Sequence, residues 1–189
     1  MRAAAWFPMR LRWLALLVAA AAFSSAASAT TLYGHTVQVS HDDPVEGTFL
    51  SGPFDVVVND TVEVPSLVGF YSADISDTNI FLDFTQFPVS SGTFTGDTFN
   101  GFHLFDVNGT IASFLTVTIN NATNVAGLDA SRVSFDADNI YVNFAGLTVT
   151  PASRVSLDIT VVPEPGTFLL MIPALAIFAA IRFQRRRLC

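Results

Sequence analysis

Between residues 30 and 162 the chain alternates apolar and polar positions in short runs, and the period is two. In SFLTVTIN, Leu115, Val117 and Ile119 alternate with Thr116, Thr118 and Asn120, which gives a single strand one apolar and one wet face. The same spacing groups Ile80, Leu82 and Phe84 in NIFLDF, Ile140, Val142 and Phe144 in NIYVNF, and Val155, Leu157, Ile159 and Val161 in SRVSLDITVV. Gly, Pro, Asn, Asp and Ser separate these runs, as at Asn108-Gly109, and no long stretch carries helical spacing with caps. The pattern predicts an all-β domain of about eight to ten strands in two packed antiparallel sheets. That is a β-sandwich, jelly-roll-like or immunoglobulin-like.

The two ends depart from this pattern. Arg2, Arg10 and Arg12 precede an apolar run from Trp13 to Phe23, and small residues follow to Ala27-Ser28-Ala29. This is the layout of a secretory signal peptide over residues 1–29, with signal peptidase cutting between Ala29 and Thr30. At the other end Pro163, Glu164 and Pro165 interrupt strand and helix alike, because two prolines fix two φ angles and remove two donors. Residues 166–181 carry no charge. As a helix they span about 24 Å, short of the ~30 Å hydrocarbon thickness. Arg182, Arg185, Arg186 and Arg187 follow at once, and such a cluster stays on the cytoplasmic side, leaving the β domain outside. Three segments are therefore expected: residues 1–29, 30–162 and 163–189.

Charge and cysteine narrow the chemistry. The chain has no Lys, and between residues 30 and 162 only Arg132 and Arg154 face fifteen of the sixteen acidic residues, a net −13. Nucleic acid is excluded as a partner, since phosphate binding needs clustered positive charge. The single cysteine, Cys189, lies beyond the hydrophobic segment, so the exported part has neither a disulfide nor a thiol nucleophile. Its core must hold by packing, and most of the eighteen Phe residues are expected there.

The ordered series VPEP, hydrophobic stretch, RRR resembles the PEP-CTERM sorting signal of Gram-negative bacteria, with Pro163, Glu164 and Pro165 matching the motif. The resemblance implies recognition by an exosortase in the membrane and cutting near the motif. Release to, or attachment at, the cell surface or extracellular matrix would follow, often in organisms that make exopolysaccharide. It implies no activity for the β domain.

Candidate chemistry in that domain is sparse. HDDPVE sets His41 beside Asp42, Asp43 and Glu46, and DADN offers Asp136, Asp138 and Asn139. Oxygen ligands at alternate positions suit calcium, but neither stretch has EF-hand or nonapeptide spacing, and a solvated acidic loop is the simpler reading. No cofactor is expected. There is no Gly-x-Ser-x-Gly elbow and no histidine pair at zinc spacing among His35, His41 and His103. One internal echo stands out: NVAGLDASRVSFD from Asn124 returns as NFAGLTVTPASRVSLD from Asn143. Adjacent strands with equivalent turns, and arginines paired with acidic neighbours, would account for it. The expectation is a non-catalytic structural or adhesive protein linked to exopolysaccharide or biofilm; the alternative is a calcium-assisted carbohydrate-binding module.

Overall fold

The computed structural model describes residues 32–162. The expected signal peptide with its cleavage site at Ala27, Ala29 and Thr30, the Pro163-Glu164-Pro165 motif, the helix 166–181 and the arginine cluster lie outside the described residues. Twelve strands follow one another: β1 (Thr36–Asp42), β2 (Phe49–Val57), β3 (Val64–Leu67), β4 (Tyr71–Ile75), β5 (Asn79–Asp83), β6 (Gly92–Thr93), β7 (Gly101–Phe105), β8 (Phe114–Ile119), β9 (Val133–Phe135), β10 (Asn139–Asn143), β11 (Thr148–Val149) and β12 (Arg154–Val161). The number exceeds the expected eight to ten because β6 and β11 have two residues each, too few to display a period. A lone 3-10 turn, Ala130–Arg132, precedes β9.

The fold is all-β and antiparallel. One five-stranded sheet has the order β2-β1-β7-β10-β9, a second the order β3-β4-β5-β12-β8, and β11 pairs with β6 as a separate ribbon. Ile80, Leu82, Ile140, Val142, Val155 and Leu157 are all fully buried, and residues of both sheets join one apolar cluster. At one end of that cluster rings replace aliphatic chains. Tyr71 and Phe84 lie 4.8 Å apart, Phe84 and Phe144 5.8 Å, and Phe94 and Phe144 5.3 Å.

In β8 the expected alternation is corrected. Phe114 and Val117 are buried while Leu115 is 55% exposed, because the β8–β12 register shifts between Thr160, opposite Thr116, and Val161, opposite Phe114. The extra residue, Leu115, is squeezed out to the wet side, as a β-bulge requires.

The internal echo is also corrected. Its two copies lead into β9 and β12, which belong to different sheets. What they share is a turn: Leu128 N–H donates to Val125 C=O at 3.2 Å and Leu147 N–H to Phe144 C=O at 2.8 Å. Gly127 and Gly146 both take positive φ, 82° and 74°, where a side chain would be strained. Arg154 pairs with Asp83 at 3.1 Å, whereas Arg132 donates to the backbone carbonyls of Asn143 and Ala145.

A second likeness relates the sheets more closely. The β4–β5 and β9–β10 hairpins close with Ser76 N–H on Asn79 C=O and Asp136 N–H on Asn139 C=O. They then run through NIFLDF and NIYVNF to Asp83 and Asn143, whose side chains accept from the amides of Thr85 and Ala145. Each sheet thus holds one copy of the same hairpin.

The chain enters and leaves this fold at one end. Leu32 and Tyr33 donate their amides to Asp77, at its carbonyl and its Oδ1, and Ile159 donates to the carbonyl of Thr78 at 2.7 Å. The ring cluster lies at the opposite end, where β5 finishes at Asp83 and β12 begins at Arg154. Five residues of β5 separate the two ends, about 17 Å.

Candidate functional site

Strand alternation divides HDDPVE between two surroundings. On β1, Val37, Val39 and His41 face the core, while Ser40 and Asp42 face the other side, where Ser40 pairs with His103 and Asp42 with Gly101 of β7.

His41 is held at both ring nitrogens: Nδ1 lies 2.7 Å from the Tyr71 hydroxyl and Nε2 2.9 Å from Asn100 Oδ1. Asn100 spends its amide donor on Thr95 Oγ1 at 2.7 Å, so its oxygen accepts from His41 Nε2–H. In the neutral ring, which burial favours, Nδ1 accepts from the Tyr71 hydroxyl. Burial lowers the His41 pKa against the opposing pull of Asn100 and Asp42; burial first, then Asp42, raises that of Tyr71 well above the usual phenol range. Neither nitrogen remains to take a proton from a substrate or to bind a metal.

On the other face Asp42 accepts from three donors. Its Oδ1 takes the Ser40 hydroxyl at 2.6 Å, and its Oδ2 takes His103 Nδ1 at 3.1 Å and the Gly47 amide at 2.8 Å. His103 Nε2 lies 3.1 Å from Asn139 Oδ1, and the ring is stacked between Phe105 and Tyr141, with centroids 4.6 Å and 4.2 Å away. These are the residue types of a catalytic triad in the wrong order: the carboxylate, not the imidazole, contacts the serine, so nothing activates Ser40.

The calcium candidates form a turn. Asp136 Oδ1 accepts from the amides of Asp138 and Asn139 and from Asn139 Nδ2, and the Asp138 amide heads the causes that hold this carboxyl below the usual range. Those lone pairs already serve the β9–β10 turn. Among the described residues no group of three or more His, Cys, Asp or Glu side chains is placed to hold a metal ion.

A cleft of about 290 Å³ opens at the ring-cluster end, lined by Phe70, Phe87, Phe94, His41, Asp43 and Asn100 among others. Phe70 lies 5.2 Å from Phe87 and meets Phe94 edge-on at 6.1 Å. Gly92 allows this arrangement, since a Cβ there would lie 2.7 Å from the Phe87 ring. The Oδ1 of Asp43 is buried and receives no hydrogen from a backbone amide or a neutral side chain; the neighbouring group is the carboxyl of Asp97. Burial, then the charge of Asp97 and a hydrogen bond with it, push the Asp43 pKa up.

Of the residues that composition and motif singled out, His41 and Asp43 reach this cleft; Asp42 and His103 meet behind the sheet; Glu46 is exposed. The aromatic lining carries no sequence signal, because Phe70 lies in the turn between β3 and β4, Phe87 in the loop after β5, and Phe94 just after the two-residue β6. No family model, curated protein or solved structure matches the chain.

Proposed function

We propose that this is an exported, exosortase-sorted protein of the cell surface or extracellular matrix, a non-catalytic structural or adhesive component associated with exopolysaccharide or biofilm. Its two five-stranded sheets make a β-sandwich, jelly-roll-like or immunoglobulin-like, since the chain changes sheet after β2, β5, β7, β8 and β10.

One observation supports this reading above the rest. The described chain begins and ends at the Asp77–Thr78 end, and Val162 leads there directly into Pro163-Glu164-Pro165. The engaged nitrogens of His41 and His103 support a binding or structural role over turnover.

Replacing Pro163, Glu164 and Pro165 by alanine is expected to leave the β domain's melting temperature unchanged while the protein accumulates uncut in the membrane fraction. Fractionation of the two strains and immunoblotting check this. An unchanged distribution between membrane, surface and medium would overturn the sorting role.

A further inference from the structure

We propose that the cleft between Phe70, Phe87, Phe94 and Asp43 is a binding subsite for one neutral sugar ring. The chemistry of its walls defines the ligand. Phe70 and Phe87 are partly exposed, and Phe94, buried, meets Phe70 edge-on, so an incoming molecule must offer them an apolar face of C–H groups. Asp43 also lines the cleft, and a carboxyl there accepts a hydrogen from a hydroxyl placed beside it. A pyranose supplies both, because its axial C–H bonds form an apolar patch while its hydroxyls point outward around the ring.

Size and charge limit the choice further. About 290 Å³ lies at the lower bound of ~300 Å³ for small-molecule pockets, room for one ring and not a buried chain. An exposed Leu50 and the Thr93 and Thr95 hydroxyls stand at the rim, where further units of a polymer can leave. Residues 30–162 carry net −13, and Asp97 adds its charge beside Asp43, so a uronic acid or sulfated sugar is repelled and a neutral hexose is not. Unlike a calcium-assisted module, this site engages the sugar directly. The inference holds whether or not the chain is sorted through Pro163-Glu164-Pro165.

The test is saturation-transfer NMR on the full chain in a zwitterionic detergent without sugar headgroups. The probes are the methyl pyranosides of glucose, galactose and mannose, methyl glucuronide as the anionic arm, and cyclohexanol as the apolar arm. At least one neutral glycoside is expected to receive saturation from the aromatic protons, with glucuronide and cyclohexanol receiving little. In the wild-type chain the amide signals of Gly92, Thr93 and Thr95 should shift with added glycoside. Phe87→Ala and Asp43→Ala, each checked for an unchanged amide spectrum elsewhere, should weaken the affinity at least tenfold. No transfer to any neutral glycoside, shifts confined to other residues, or a preference for cyclohexanol would each overturn the proposal; the last would mark an apolar-ligand site.

Discussion

Gly101→Ala is expected to destabilise the domain by about 3 kcal/mol or more, enough to leave much of the chain unfolded. Gly101 opens β7, where it pairs with Asp42 of β1 on one side and Asn143 of β10 on the other. A Cβ built there runs into the carbonyl oxygen of Val142 and crowds Asn143 Cα at 3.2 Å. Backbone atoms of a central strand cannot swing aside as a side chain can, so relief requires β7 and β10 to part. Their separation would also loosen Asn100, whose amide and carbonyl are bonded to Asn143 Oδ1 and the Phe144 amide. Gly96→Ala is the control: nothing lies within 4 Å of its Cβ position, and its cost should stay within ~0.5 kcal/mol. Urea unfolding of the two variants, compared with the wild type, measures both.

Asp42→Asn is expected to cost about 3 kcal/mol at neutral pH and to flatten the acid limb of the stability profile. Burial opposes ionisation of Asp42, but the hydrogen bonds of His103, Ser40 and the Gly47 amide outweigh it and lower its pKa. A carboxyl with a folded pKa below its unfolded value binds fewer protons when folded. Its contribution is complete above the unfolded value, 3.8, and is lost as pH falls through the folded one. His41 acts earlier. Its lowered pKa favours the folded state above the unfolded value of 6.5, and that advantage shrinks as pH drops below it. Asp43, raised from 3.8, works against both, since acid relieves its penalty. The wild type should therefore lose stability in two stages, one below pH 6.5 and one below 3.8. In Asp42→Asn the second should be blunted, while the first persists and deepens, because the Asp42 charge no longer favours the His41 cation. Thermal melts across pH 2–8 read both stages; an equally steep second stage in the variant would show that Asp42 does not drive it.

How much of this was legible in the residues depends on range. Ile80-Leu82-Phe84, Ile140-Val142-Phe144 and Val155-Leu157-Ile159 each announce a buried face, because alternation is a property of a few consecutive positions. The phase of β8 was not legible: the bulge that expels Leu115 is set by pairing with Thr160 and Val161, over forty residues away. NIFLDF and NIYVNF could be read as strands from their own spacing, but their equivalence as hairpins became visible only through the shared bonds of Ser76 with Asn79 and of Asp136 with Asn139. The site was the least legible part. His41 meets Tyr71 and Asn100 across separations of 30 and 59 residues, and the cleft's Phe residues look in sequence like any other core aromatics. HDDPVE did stand out as a polar cluster at a strand end, which was a usable signal for Asp43.

The proposed processing at both ends carries the central claim, and intact mass spectrometry of the extracellular form tests it most directly. The account predicts a polypeptide beginning at Thr30 and lacking Arg185, Arg186 and Arg187. An extracellular species that keeps those three arginines would contradict it.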